Sequence, residues 1–433
     1  MRILVTGGDG FIGAHILAAL RAAGHDVVGC ARRPDPARRR LPDGAWIACD
    51  MVRDTDPAAW RPRLAGIDAV INCAGILQAR RLAEMAAVHA RAPAALFAAC
   101  EAAGVRRVIQ VSALGAGAGA DTEFARTKAA ADADLMGRDL DWLVVRPSLV
   151  YGAGSYGGTS LLRALAALPF LVPVPGRGDQ RFQPIHVADL ARAVCRLVEP
   201  GAPARRLIEA VGPEELSVRD IVLALRAWLG IAPAPLLPVP MGLVHAAARL
   251  GDALRAVSGR GTLTTTALRQ IARGSAGGDL AGFVAAAGFT PLSLAAGLAQ
   301  QPSQVQDRWH ARLYFVRPLL RLAIAAVWIV TGIVSVLPGA RTTWSALQAP
   351  FGEPLATALV WSGSALDIAL GALLMVAWRT VAVGAAMIAL TFGYLAAMSW
   401  LDPGLWLDPL GPLLKVLPLM AATLALIAIE SDR

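Results

Sequence analysis

Over the first 150 residues, short apolar runs alternate with longer stretches of helical period. Ile3-Leu4-Val5-Thr6 leads into Gly7-Gly8-Asp9-Gly10-Phe11-Ile12-Gly13 and then the helical run Ala14–Ala23. Further apolar runs lie at Asp26–Cys30, Trp46–Cys49, Ala69–Asn72, Arg107–Val111 and Trp142–Val145. Between them, Leu82–Arg91 continuing to Ala103, and then Glu123–Met136, repeat as helices do. Apolar runs this short, bounded by turn residues, read as buried strands. Strands alternating with helices predict an α/β Rossmann-type doubly wound parallel sheet, with ligands held at the carboxyl ends of the strands. After Gly152 the pattern becomes irregular. Leu161–Leu168, Ser217–Leu229 and Met241–Val257 read as helices joined by links rich in proline (Pro233, Pro235, Pro238, Pro240), which predicts a small substrate-side lobe. Ser217 suits an N-cap. Met241–Val257 is amphipathic, as a helix covering a cleft or lying on a membrane surface would be.

Four long apolar stretches close the chain: Leu319–Leu337, Leu355–Trp378, Thr380–Trp400 and Leu413–Ile429. Each approaches the ~20 residues that cross a bilayer core. They predict an all-α four-helix transmembrane bundle. The organisation read from the pattern is a nucleotide-binding domain at 1–300, a basic linker at 301–318 and a four-span domain at 319–433. Trp344, Trp378, Trp400 and Trp406 fall at or near span ends, as an interfacial belt does.

The first turn carries the most specific chemistry. Gly7 permits a tight bend, Gly10 lets backbone approach a pyrophosphate, and Gly13 lets the helix pack close to the strand. N–H groups of the helix start, at Phe11, Ile12 and Gly13, then face the anion, with Thr6 ending the strand before them. A carboxylate after the second strand would hold the 2′-hydroxyl of NAD, whereas an arginine accommodates the 2′-phosphate of NADP. The residues there are Arg32 and Arg33, so NADP is favoured over NAD. Asp50 and Met51 after the third strand suit the adenine edge. Cys73-Ala74-Gly75, Ser112, Arg146 and Pro147 mark the ends of the next three strands.

Composition divides the chain at the same place as the pattern. The mean hydropathy of +0.52 suits neither a cytosolic protein nor a chain lying wholly in membrane. Residues 1–321 hold 63 of the 73 charged side chains and carry +11, whereas residues 322–433 hold 10 and carry −2. A chain this apolar is excluded from disorder, and a wholly soluble enzyme is not expected. A basic part beside an apolar part suits anionic lipid head groups or a nucleic acid, whereas cations that are nearly all arginine, with only Lys128 and Lys415 as lysines, read as a GC-rich genome. No nucleic-acid partner is expected. The five cysteines are scattered and lack metal spacing, so reduced core thiols and no metal are expected. Met1-Arg2 runs straight into the first strand, so no cleaved leader is expected. Arg308, Arg312, Arg317, Arg321, Arg379 and Arg433 fall on one side of the spans, against Arg341 and Lys415 on the other. The positive-inside rule then puts the nucleotide-binding domain and both termini in the cytoplasm at a bacterial inner membrane. Asp367 in mid-span and Lys415 at the start of the last span are costly there and so are functional candidates.

The segments TGGDGFIG, CDMVRD, NCAG, VSALGA, RPSLVYG and HVADLA, in that order, resemble the extended or atypical branch of the short-chain dehydrogenase/reductase superfamily, the epimerase/dehydratase-like proteins. Val88-His89 and the stretch Ala103–Ala116 are similar to the group around the nucleotide-binding accessory subunit of respiratory complex I. The last part resembles the DoxX-like family in its four-span layout, in Gly363–Gly371 and in Gly411-Pro412-Leu413-Leu414-Lys415. The first resemblance implies a catalytic Tyr-x-x-x-Lys on one helix face. Here the segment is Phe124-Ala125-Arg126-Thr127-Lys128: the lysine is present and Phe124 replaces the tyrosine. Ser112 lies near the family's third catalytic position. Tyr151, Tyr156 and His186 are alternative acids, with His186 read first as a structural hydrogen-bonding residue. Together these imply an NADP(H)-binding oxidoreductase held in a lipid bilayer and acting on a quinone or other lipid-soluble substrate. The alternative is a non-catalytic assembly or regulatory subunit of a respiratory complex. A nucleotide-sugar epimerase is a weaker third reading, which Phe124 also opposes.

Overall fold

A computed structural model describes the chain except for residues 41, 43, 78–81, 118, 155–156, 259–264, 338–340, 410 and 431–433, and except for the side chains of residues 40, 82, 254–258, 267 and 341–346. Tyr156 and Arg433 therefore lie outside the described residues, as do the side chains of Arg341, Trp344, Leu254 and Val257. Two compact units form: Met1–Arg249 with Leu263–Ala311, and Leu250–Thr262 with Arg312–Arg433.

The first unit opens with β1 (Arg2–Thr6), α1 (Phe11–Ala22), β2 (Asp26–Ala31), α2 (Pro34–Arg40), β3 (Ala45–Ala48), α3 (Pro57–Trp60) and β4 (Ala69–Asn72). Next come α4 (Leu82–Ala86), α5 (Ala92–Ala103), β5 (Arg107–Val111), α6 (Glu123–Met136), β6 (Asp141–Pro147) and β7 (Val150–Tyr151). The lobe beyond holds α7 (Gly158–Ala166), β8 (Val172–Pro175), β9 (Arg181–Phe182), β10 (Ile185–His186), α8 (Val187–Val198), β11 (Arg206–Ala210) and β12 (Leu216–Ser217). It continues with α9 (Val218–Trp228), β13 (Leu236–Val239), α10 (Met241–Ser258), α11 (Thr265–Arg273), α12 (Leu280–Ala287) and α13 (Leu294–Gln300).

Seven parallel strands form one sheet in the order β11-β6-β5-β4-β1-β2-β3. β1 pairs with β2 on one side and with β4 on the other, so the strand order reverses there. That reversal opens the crevice in which such sheets bind ligands. Alternation along β1 feeds two cores. Ile3 and Val5 pack with Ile16 and Leu20 of α1 and Leu190 and Val194 of α8. Leu4 packs on the other face with Leu96 and Phe97 of α5 and Leu135 of α6.

The expected long helix from Leu82 is not a single α-helix. A π-helical turn at Ala87–Arg91 separates α4 from α5. The strand β11 has no counterpart in the sequence reading, because its residues Arg206-Leu207-Ile208-Glu209-Ala210 do not form an apolar run. Ser217 caps α9 in a capping box with Asp220.

The second unit contains the greater part of α14 (Val305–Ser335), then α15 (Arg341–Met375), α16 (Thr380–Leu401) and α17 (Val416–Ile429). Helicity begins at Val305, inside the basic segment 301–318. α15 breaks at Gly352, whose φ of 73° is non-helical, between Pro350 and Pro354. Among the described residues three helices are long and apolar enough to cross a membrane: Val305–Ser335, Leu347–Met375 and Thr380–Leu401. The expected fourth span is shorter than read, since α17 has 14 residues. Gly411 and Pro412 open a turn that delays the helix until Val416, and ~21 Å of helix falls short of a ~30 Å hydrocarbon core. Leu426 of α17 still packs with Trp328, Leu374 and Met387 in the bundle interior.

Candidate functional site

The site is built at the carboxyl ends of β1, β4 and β5, with α6 crossing beside them. Thr6 Oγ1 donates a short hydrogen bond to Asn72 Oδ1. Asn72 Nδ2 donates to Gln110 Oε1 at 2.6 Å. This buried ladder ties the three strand ends at one level. Gly7 then turns with φ +63° close against the segment that follows β4: a Cβ on Gly7 would lie 3.0 Å from the backbone of Ala74. A Cβ on Gly13 would lie 2.1 Å from Gly7 O, and one on Gly10 3.1 Å from the same oxygen. The turn is thus a cradle that side chains would fill. Above it α1 starts at Gly10 with no side-chain cap and no acid in its first turn. The first helical N–H groups have no carbonyl one turn back, so they suit a pyrophosphate. On this geometry the residues fit a dinucleotide.

Arg32 and Arg33 follow β2 directly and are exposed. Arg32 pairs with no other described residue, and the residues directly after β2 are Arg32, Arg33 and Pro34. Asp50 accepts from Val52 N–H at 3.0 Å and lies 3.6 Å from Arg53. Met51 is buried, with Cys49 Sγ 3.6 Å from its sulfur. Cys73 N–H reaches Thr6 O at 3.1 Å, and burial pushes its thiol up to about 12, so it stays protonated at neutral pH.

Lys128 lies on α6 with its ammonium buried between two strand ends. Nζ donates to Val111 O at 3.0 Å and Ala74 O at 3.2 Å. A Cβ on Gly75 would stand 3.2 Å from Nζ, so the glycine gives the ammonium its space. Burial lowers the lysine pKa, and Asp132 one turn later opposes the shift. Phe124, one turn earlier, meets His89 edge to face at 5.3 Å.

His89, Thr127 and Asp132 were not picked out by sequence reasoning as site residues. His89 Nε2 accepts from Ile76 N–H at 2.9 Å, so the ring proton sits on Nδ1, 3.0 Å from Thr127 Oγ1. Thr127 donates onward to Glu123 O at 2.8 Å. Burial, with the Lys128 charge adding to it, pushes His89 down to about 2. It is a neutral wall residue. Ser112 turns its hydroxyl to Asp132 at 2.8 Å, and Arg146 Nε reaches the same oxygen at 3.0 Å. Burial raises the Asp132 pKa against both donors. The only local signal for Asp132 is its place one turn past Lys128 on α6. The His89–Thr127 contact joins residues 38 apart on different elements and leaves no local signal.

Pro147 ends β6 opposite Ala210 of β11. Tyr151 is buried and donates to Ser293 O at 3.0 Å, and burial raises its pKa. His186 caps α8 by accepting from Ala188 N–H at 3.3 Å, and burial lowers its pKa. Neither is placed as a ready acid. The five cysteines are unpaired, and among the described residues no group of His, Cys, Asp or Glu could hold a metal.

Asp367 and Lys415 belong to the second unit. Asp367 lies inside α15, nearly buried, and accepts from Tyr394 OH of α16 at 2.9 Å. Lys415 is exposed at the N-cap of α17, before the helix rather than within its first turn.

A parallel sheet reversing at β1, a glycine cradle at the start of α1 and a buried lysine on α6 define a dinucleotide-binding oxidoreductase-like fold. Residues 3–207 match the NAD dependent epimerase/dehydratase family, and residues 325–424 match the DoxX-like family. The chain belongs to the NAD dependent epimerase/dehydratase family and carries a C-terminal DoxX-like membrane domain. It is 30% identical over 228 residues to dTDP-4-dehydrorhamnose reductase of Mycobacterium tuberculosis, covering 48% of this chain and 68% of that one. It is 32% identical over 199 residues to ceramide reductase of Caulobacter vibrioides, covering 45% and 61%. It is 26% identical over 251 residues to the mitochondrial NADH dehydrogenase [ubiquinone] 1 alpha subcomplex subunit 9 of Arabidopsis thaliana, covering 57% and 62%. The chain thus spans less than two thirds of the last two relatives. The solved structure of MoeE5 in complex with UDP-glucuronic acid and NAD shares the fold, with a TM-score of 0.52 and 24% identity over 70% of this chain and 97% of that one.

Proposed function

We propose that the chain is an NADP(H)-dependent reductase of the bacterial inner membrane, acting on a quinone or another lipid-soluble substrate. Its nucleotide-binding unit and both termini face the cytoplasm. The observation that carries this reading is the Lys128 ammonium held beside Gly75 at the strand ends, with an apolar wall of Phe124 and neutral His89 next to it. Bound NADPH would supply the hydride. Thr6, Gly7, Gly10 and the N–H groups of Phe11, Ile12 and Gly13 hold the pyrophosphate. Arg32, assisted by Arg33, takes the 2′-phosphate. Asp50 and Met51 border the adenine, and Cys73, Ala74, Gly75, Arg146 and Pro147 border the rest of the crevice. Ser112 positions Asp132, whose carboxylate opposes the lowering of the Lys128 pKa by burial.

Phe124 has no proton to give, so the substrate class must tolerate that loss. A quinone does: its reduced oxygen is a delocalised phenolate that can take its proton from water, and Lys128 offsets the charge while it forms. The names of two relatives point the same way, one to ceramide and one to ubiquinone. Asp367, held by Tyr394, is the candidate polar site in the membrane unit, and Lys415 a candidate at its surface.

Phe124 also favours a second reading, in which NADP(H) is a bound structural ligand of an assembly or regulatory subunit of a respiratory complex. NADPH oxidation by membranes containing the protein, with a short-chain quinone, separates the two. Turnover lost in Lys128→Ala supports the reductase. NADPH binding without turnover in the parent chain supports the subunit.

A further inference from the structure

The link from α7 to β8 exposes an apolar tip that the first unit leaves uncovered. Phe170 is 83% exposed, and Leu171 beside it 40%. β8 and β13 form a separate two-stranded parallel ribbon in which Leu237 stands opposite Pro173. Val172 and Val174 are buried, so Leu171, Pro173 and the 46% exposed Leu237 face outward together. Beyond the end of β8, Arg177 and Arg219 line a cavity with Asp179 and with Val174, Leu236 and Pro238, the ribbon residues of the opposite face. Neither arginine pairs with another described residue, and both are exposed.

An aromatic tip, an apolar face and exposed arginines beyond the end of the ribbon suit the boundary between head groups and acyl chains. They suit a protein strand poorly. Pro173, Pro175 and Pro238 remove N–H donors from the ribbon, and an added strand would need them. A bilayer is also always within reach, because the same chain carries three helices long enough to span one. We infer that this ribbon docks the nucleotide-binding unit onto an anionic bilayer surface, with Phe170, Leu171 and Leu237 inserted among the acyl chains and Arg177 and Arg219 against lipid phosphates.

The test uses the full chain in phosphatidylcholine nanodiscs with or without phosphatidylglycerol. A spin label is placed at Phe170→Cys, with Ala102→Cys as a water-exposed control and the labelled parent chain as background for the native cysteines. The label at 170 should be more accessible to oxygen than to an aqueous nickel chelate when phosphatidylglycerol is present. That preference should fall without phosphatidylglycerol and in Arg177→Glu/Arg219→Glu. A label reading as aqueous as the control in both bilayers would overturn the docking surface. Shielding from both quenchers would also overturn it, in favour of a contact with protein. Equal depth in both bilayers would overturn the role given to the two arginines.

Discussion

At position 124 a phenyl ring packs against His89 where the family motif implies a phenol, and the residues around it set the local chemistry. His89 is the more informative of the two. The unfolded chain protonates this histidine near its ordinary 6.5, whereas the folded chain resists until about 2. As pH falls below 6.5 the unfolded state takes up the proton first, so stability is lost by up to about 1.4 kcal/mol per pH unit. Melting of the detergent-solubilised protein between pH 7 and 5 should therefore show a flatter slope in His89→Gln than in the parent chain. Arg32 is tested through affinity. A charge-assisted contact contributes about 1.5–3 kcal/mol, so Arg32→Ala should weaken NADPH about tenfold or more and leave NADH unchanged. Fluorescence titration of both nucleotides reads this directly. Lys128 and Arg32 were legible because motif and strand end locate them. The partners of Lys128 were not, because the Ala74 and Val111 carbonyls meet it only through tertiary packing.

Elements were legible where the apolar pattern is strong. β4, β5 and α6 run where the pattern places them, because buried parallel strands are short apolar runs and α6 is an uninterrupted stretch without glycine or proline. β11 was invisible because Arg206 and Glu209 interrupt its apolar residues, and only pairing with β6 makes it a strand. The length of α17 was overread for the opposite reason: Leu413 and Leu414 are apolar but sit in the turn after Gly411-Pro412. The β1–α1 turn makes the sharpest prediction at this scale. Gly13→Ala would set a methyl carbon 2.1 Å from Gly7 O, a contact the backbone cannot absorb without opening the turn. The variant should lose nucleotide binding at least about tenfold, while the membrane unit still inserts. In the second unit, Asp367→Asn keeps an acceptor for Tyr394 but removes the acid. If the acid itself is used, quinone-dependent NADPH oxidation should fall while NADPH affinity stays the same.

The whole chain joins a basic, charged nucleotide-binding unit to a membrane unit with few charges, and the mean hydropathy of +0.52 describes neither. Arg308, Arg312, Arg317 and Arg321 in the first half of α14, with Arg379 between α15 and α16, predict a cytoplasmic start for the first span. A reporter active only in the cytoplasm, fused after Arg433, should be active, and activity of a periplasm-only reporter at the same point would reverse the topology. The proposed function requires that the chain bind NADP(H) in preference to NAD(H). Titration of the whole chain in detergent with NADPH and with NADH reads this preference. NADPH should bind about tenfold or more tightly than NADH. Equal affinities, or no binding of either nucleotide, would contradict it.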